Sequence, residues 1–475
     1  MRIFRFAFLA LPLMAQFPDQ ARLLQRMDDL APHYGAIASQ IWELAESGYQ
    51  EHKSSALLKA ELRKAGFALQ ENVGGIPTAF AATWGQGKPV VGIMGEFDAL
   101  PGLSQATLPD RMPIVEGAPG HGCGHNLLGT AAVFAAIVAK DQFAASGRPG
   151  TIRFFGTPAE EGGGGKIYMA RAGVFSGTDV VLTWHPGNNN SAGLSGTLAN
   201  ISAKFRFHGK ASHASSAPEA GRSALDAVQL MNYAVELLRE HVPQETRIHY
   251  VITNGGSAPN IVPQLAESYY YARHPNMTSL DGIWDRIVKC AQAAALATET
   301  RMEMDLVNSV YDVLPNDALS LLLDKNLRRA GGVQYTAEEN AFARRLQTTL
   351  DNPSALGTQE SIVPREADRG LGGSTDVGDI SWLLPTAQFT TATWVPGTPA
   401  HTWQSTACSG MSIGRKGMLV AAKTLALTTL DILHDPKQGD QAQASFEKRK
   451  GGRIYRSRVP EGQNPLSTTA RNSYS

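Results

Sequence analysis

The stretch Gly120-His-Gly-Cys-Gly-His-Asn126 sets Cys123 and His125 two residues apart, with glycine between and around them. In extended backbone, residues i and i+2 face the same way, and glycine lets a loop turn tightly around an ion. A thiolate beside an imidazole suits zinc or another borderline metal. A helix beginning near Leu127 would bring its positive end to Cys123 and favour the thiolate. Two ligands do not make a site, however, and a glycine-rich turn with incidental polar residues explains the stretch equally well.

The segment Thr157-Pro-Ala-Glu-Glu-Gly-Gly-Gly-Gly-Lys166 adds two adjacent acids, Glu160 and Glu161, directly after an apolar run. Active-site groups of open α/β sheets gather at the carboxyl ends of strands. Neighbouring carboxylates repel unless a cation lies close. A metal would divide their work, one carboxylate binding it while the other takes a proton from water. Most Glu-Glu pairs are nonetheless solvated turns. The glycines are not a phosphate loop, because Ile167 stands where Ser or Thr is required. His185, in Trp184-His-Pro186, and His401, in Gly397-Thr-Pro-Ala-His-Thr-Trp403, are weak signals singly. Three strand ends and a C-terminal loop, each offering a ligand type, fit one site better than four coincidences.

These groups need a frame. Apolar runs at 90–94, 151–155 and 179–183 read as strands, and 127–140 and 166–172 read as helices between them. Strand–helix alternation implies an α/β fold with a mostly parallel sheet covered on both faces. Residues 20–65 read as two helices that precede it. From 198 to 308 the pattern changes to alternating strands at 199–207, 248–252 and 267–272, with helices at 223–239 and 280–298. This predicts an inserted α+β domain, so that 16–197 and 309–475 together form the catalytic domain. The polar tail beyond 436 reads as surface chain or as partly disordered.

Residues 1–15 are a short basic start followed by an apolar run, the pattern of a secretory signal peptide, so export to the periplasm or the medium is expected; the alternative is a cytoplasmic protein with an apolar N-terminal segment. No later segment reads as transmembrane. Apolar residues make up 43 % of the chain and charged ones 18 %, as in a soluble globular protein. Lys plus Arg and Asp plus Glu are each 43, and this neutral balance argues against a nucleic-acid surface or an anionic membrane. A small molecule is the expected partner. The cysteines Cys123, Cys290 and Cys408 give no disulfide framework, and the latter two read as small buried residues.

Gly95-Glu-Phe-Asp-Ala-Leu-Pro-Gly102, the Cys123 and Glu160 stretches and Gly373-Ser-Thr-Asp-Val-Gly378 occur in the order seen in the aminoacylase-like branch of the two-metal exopeptidases. The chain resembles that branch from about residue 20 to 460, and within it the p-aminobenzoyl-glutamate subgroup. The resemblance implies that Cys123, His125, Glu161, His185 and His401 hold two divalent ions, zinc or manganese, and that Glu160 is the general base. It implies a lid at 198–308 that also dimerises, with His213 reaching the partner subunit's site to steady an oxyanion and Asn260 assisting. Arg273 is a candidate anchor for a substrate carboxylate, or else a surface ion pair.

The pattern departs from the family at two places. Glu96 stands where many relatives carry a ligand histidine, so Asp98 is expected to orient a ligand instead. Asn126 stands where aminoacylase-like relatives usually have Asp, which favours the p-aminobenzoyl-glutamate subgroup over hippurate or indole-acetyl substrates. The expected activity is hydrolysis of an N-acyl or N-aroyl amino acid, foremost an N-acyl-glutamate, by a homodimer or with a paralogous A-type subunit. A dipeptidase or carboxypeptidase on the same scaffold, and a binding protein without turnover, are the competing readings.

Overall fold

The computed structural model describes residues 20–194, 196–365 and 372–467, so the segment read as an export signal lies outside the described residues. Helices α1 (Gln20–Leu44) and α2 (His52–Lys64) come first. Strands β1 (Ala68–Glu71), β2 (Phe80–Gln86) and β3 (Val90–Gly95) lead to α3 (His125–Ala144), β4 (Gly150–Gly156), α4 (Gly165–Arg171) and β5 (Val180–Gly187). A second unit then runs through β6 (Ala199–His208), α5 (Ala224–Leu238), β7 (Arg247–Asn254), β8 (Leu265–His274), α6 (Met277–Ala297) and β9 (Arg301–Val310). The chain returns as α7 (Asp317–Ala330), α8 (Ala337–Gln347), α9 (Val377–Ser381), β10 (Thr386–Ala392), α10 (Trp403–Gly410), α11 (Ser412–His434) and α12 (Lys437–Lys450).

The larger sheet has the order β1-β2-β4-β3-β5-β10. Its β4, β3, β5 and β10 are parallel, while β1 and β2 continue it antiparallel. The fold is therefore mixed α/β with a mostly parallel sheet. Helices α1, α3, α7 and α11 cover one face, and α4 and α9 close the other. The smaller sheet, β7-β8-β6-β9, is antiparallel throughout and packs one face on α5 and α6.

Two expectations are corrected. Helices α3 and α11 are in fact long and apolar enough to cross a membrane, but 78 % and 83 % of their apolar windows are buried inside the fold, where they pack against each other. Their hydropathy is that of core helices with no solvent face. The tail is also more ordered than its polarity suggested: α12 is a helix that buries Ala442 and Phe446, and chain is described through 467. Two anchors on an otherwise polar helix give almost no periodic signal.

Candidate metal centre and substrate cavity

Each candidate ligand sits where a strand or helix ends. Helix α3 starts at His125, two residues earlier than the periodicity suggested, which places that imidazole in its first turn. Gly124 caps the helix with φ +73, and a Cβ there would meet Pro186 at 2.9 Å, so glycine is required on two grounds. Glu160 and Glu161 follow β4, as its position predicted. His185 lies within β5, close to its end, because pairing with β10 carries the strand on to Gly187. Ala159 (φ +57) and His401 (φ +59) are left-handed without being glycine, and both adjoin or belong to the site. Such backbone is strained and persists only where the surroundings over-determine it.

The ligand atoms converge in two groups that share one thiol. Cys123, His125 and His185 form one, and Cys123, Glu161 and His401 the other, with the atoms of each group within 4.8 Å of one another. Cys123 Sγ lies 3.0 Å from His401 Nε2, and Glu161 Oε1 lies 3.6 Å from the same nitrogen. His125 Nδ1 meets Asp98 Oδ1 at 2.9 Å, and His185 Nδ1 meets the carbonyl of Pro186 at 2.8 Å. Those bonds turn both Nε2 atoms toward the shared space, as outer partners of metal-binding histidines do. Glu161 Oε1 is buried with no hydrogen-bond partner, and His125 Nε2 makes no hydrogen bond although Glu96 Oε2 stands 3.2 Å away. Orphaned atoms of this kind cost free energy unless something else coordinates them, so the residues present fit a pair of metal ions.

The electrostatics agree. Burial would lower His125, but Asp98, Glu96 and Glu161 outweigh it and push its pKa up to about 10, so the carboxylates favour a cation at this spot. His185 is held down to about 4 by burial and the His125 charge, which keeps it neutral and able to ligate. Burial, followed by the charges of Glu96 and Glu161, pushes Glu160 well above the usual carboxylate range. The expected depression of Cys123 by the α3 terminus is overturned: burial and the neighbouring Glu161 and Glu160 raise its thiol. The helix end is outweighed by burial together with two carboxylates, and a bound cation would restore the thiolate.

Supporting residues surround the candidate ligands. Glu96, which replaces a ligand histidine, lies 3.2 Å from His125 Nε2 and 2.7 Å from Lys166 Nζ. Lys166 also binds Asp376 at 2.6 Å, and all three side chains are buried. Burial would raise Glu96, but Lys166 and His125 outweigh it and hold its pKa low. Glu96, His125 and Glu160 form a third close group, so Lys166 neutralises part of an acidic cluster around the base. Asp98 holds His125 Nδ1 through Oδ1, and its Oδ2 accepts the Glu161 amide at 2.9 Å. Glu51, buried behind the loop, accepts the Ala159 amide and the Thr78 hydroxyl, each at 2.8 Å. The Gly373 motif hinted at Asp376; Glu51 had no hint at all. Asn126 points away from the ligands and donates to the carbonyls of Ala38 and Ser409, at 3.1 Å each.

A cavity of about 970 Å³ lies over the ligands, lined by Cys123, Glu160, Glu161, His185 and His401 on one side. The exposed face of the smaller sheet forms the other side, where Arg273 contributes and donates to Ser374 Oγ at 3.3 Å. On β9, Asn308 donates to the carbonyl of Gly162 at 3.3 Å and so touches the loop that carries both glutamates. His213 and Asn260 do not line this cavity; both are exposed on the rim of the smaller sheet, where Ala214 donates to the Asn260 carbonyl at 3.0 Å. His213 Nδ1 accepts from the amides of Ser215 and Ser216, which puts the ring proton on an outward-facing Nε2.

Comparison with known proteins agrees with this architecture. Residues 196–299, essentially the smaller-sheet unit, match the model of the peptidase dimerisation domain. The chain is 42 % identical over 459 residues to the B-type subunit of the p-aminobenzoyl-glutamate hydrolase of Escherichia coli, covering 91 % of this chain and 95 % of that protein. It is 32 % identical to the Xaa-Arg dipeptidase of Mus musculus, covering 87 % and 89 %. Among solved structures, the aminobenzoyl-glutamate utilization protein of Klebsiella pneumoniae superposes with a TM-score of 0.62 at 19 % identity, covering 86 % of this chain and 98 % of that one. A dinuclear metal-binding peptidase of the M20 family from Bacillus subtilis superposes with a TM-score of 0.58 at 18 % identity, covering 88 % and 99 %. With its ligand-bearing sheet, its dimerisation unit and near full-length relatives, the chain belongs to the M20 family of metal-dependent peptidases and amidohydrolases.

Proposed function

We propose that the protein hydrolyses the amide bond of an N-aroyl or N-acyl glutamate, p-aminobenzoyl-glutamate foremost, with two zinc or manganese ions held by Cys123, His125, His185, Glu161 and His401. The observation that carries this reading is the pair of candidate ligand groups sharing Cys123 beside a buried Glu160. Bound divalent ions supply a water of near-neutral pKa and polarise the scissile carbonyl. Glu160 takes the proton of the attacking water and returns it to the departing amine. Burial and its acidic neighbours raise its affinity for a proton, and a bound cation would offset part of that shift. Asp98 and the Pro186 carbonyl hold the two imidazoles in the ligating tautomer, and Lys166 keeps Glu96 and Asp376 charged and in place. Arg273 anchors the substrate carboxylate on the opposite wall.

His213 and Asn260 act, in this reading, across a homodimer, where the outward Nε2–H of His213 steadies the oxyanion in the partner's cavity. Leu230, Tyr233 and Leu237 on α5, and Val251 and Ile252 on the edge strand β7, are exposed apolar residues that support a contact between copies. A paralogous A-type subunit is the alternative occupant of that face; the A-type subunit of the Escherichia coli hydrolase is 24 % identical to this chain over 366 residues. The basic-then-apolar residues 1–15 support export to the periplasm. A C-terminal arginine substrate, as the dipeptidase relative's name suggests, would bring a second cation beside Arg273, which favours glutamate.

The test is hydrolysis of p-aminobenzoyl-glutamate by protein loaded with Zn²⁺ or Mn²⁺, beside N-acyl amino acids and Xaa-Arg dipeptides. Cleavage of the glutamate amide, lost with chelator, is expected. Turnover of the dipeptides alone replaces the substrate and keeps the chemistry, while silence with two metals bound overturns the reading.

A further inference from the structure

Along β8, burial alternates strictly: Ala266, Ser268, Tyr270 and Ala272 are buried against the helices, while Tyr269, Tyr271 and Arg273 face the other way and line the cavity over the ligands. The Tyr269 and Tyr271 rings lie 5.3 Å apart, inclined at 53°, and their hydroxyls bond each other at 3.2 Å. With the polar tips directed at each other, what the pair offers the cavity is aromatic surface. The Arg273 guanidinium stands 5.5 Å from the Tyr271 ring centroid. Opposite Arg273 in register is Asn200 on β6, only 5 % exposed and also in the cavity wall. Asn200 Oδ1 and Arg273 Nε are buried without hydrogen-bond partners. Arg273 Nε is a buried donor left without a partner and is suited to a planar, charged group such as a carboxylate, while Asn200 Oδ1 can only accept.

We infer that Tyr269 and Tyr271 seat a flat aromatic acyl group while Arg273 takes the carboxylate of the same molecule, an assignment resting on the amide-hydrolase reading above. Residues two apart on a strand are separated by about 7 Å, close to the reach from an aromatic ring to a carboxylate across one amide bond. A ligand lying along β8 would then present its amide to the opposite wall, where Glu160 is. Stacking against tilted rings distinguishes an aroyl group from an alkanoyl one by geometry as well as by area.

The experiment is calorimetric binding to metal-loaded Glu160→Gln protein, which measures recognition without turnover, using benzoyl-glutamate, cyclohexanecarbonyl-glutamate and acetyl-glutamate. Benzoyl-glutamate is expected to bind about tenfold more tightly than either of the others, given the usual strength of one aromatic pair. Tyr271→Leu should remove most of that preference while leaving acetyl-glutamate binding within about twofold, and Tyr271→Phe, which keeps the ring, should retain it. Equal affinity for benzoyl and cyclohexanecarbonyl compounds would overturn the stacking, as would a parallel loss of all three in Tyr271→Leu with an unchanged melting temperature. An aryl preference in binding without hydrolysis by the wild-type protein would sink the proposed activity and leave this assignment standing.

Discussion

Cys123 Sγ and His401 Nε2 meet at 3.0 Å although 278 residues separate them, and the same thiol also completes the group of His125 and His185. One sulfur thus belongs to both halves of the centre, which makes its loss unlike the loss of any other ligand.

Metal content measured on purified protein should reflect this. Cys123→Ala is expected to retain well under one ion per chain, because both groups fall to two ligands. His185→Ala and His401→Ala should each retain about one. Equal stoichiometry in all three variants would show that the thiol is not shared.

Glu160→Gln keeps the size of the side chain and removes the proton acceptor. Turnover is expected to fall by about 10²–10⁴-fold, with metal content and KM little changed. A near-normal rate would take Glu160 out of the chemistry, and a loss of metal would make it a ligand.

Glu51 sets a pH dependence that does not involve a ligand. Burial first, and the Asp98 charge second, raise its carboxyl from 4.5 to about 8. The folded state then binds more protons than the unfolded chain across that range, so its contribution to stability is full below 4.5 and is lost as pH rises through about 8. Metal-free protein should melt at progressively lower temperature from pH 5 to 8, and Glu51→Gln should flatten that decline. An unchanged slope in the variant would place the titration elsewhere.

Asn126 donates to two carbonyls from a fully buried position, bridging α1 to the end of α10. Asn126→Asp would face a carboxylate with two acceptors, at a cost of about 3 kcal/mol. A clear drop in melting temperature is expected with metal stoichiometry preserved. A stable variant with altered metal content would instead connect this residue to the centre.

The candidate ligands could be proposed from the sequence because glycine or proline stands beside most of them, in residues 120–126, 160–164, 185–186 and 397–401. Their support could not be. Lys166 reaches Asp376 across 210 residues, and nothing in either neighbourhood announces the other. Strands β1 and β2 escaped periodicity because they are short or carry small residues, Ala81 and Ala82 among them, and β10 because threonine and alanine alternate there with only Phe389 as a large apolar side chain. The smaller sheet was readable because burial alternates along β8 and along the second half of β6. The direction of the Cys123 shift is set first by burial and then by Glu161 and Glu160, and no reading of the helix alone could include them.

The hydrogen bond from Asn308 to Gly162 joins the last strand of the smaller sheet to the loop bearing the base. That loop is also held from beneath, by Tyr49 on Gly163 at 2.7 Å and by Glu51 on Ala159. Tilting the smaller sheet would therefore pull on a tethered backbone one residue beyond Glu161, and in the dimer proposed above the rim that meets a second copy would be mechanically continuous with the proposed proton acceptor. Substitutions far out on that rim should then register in kcat, as changes in how often the acceptor is in line, as well as in how tightly two copies hold together.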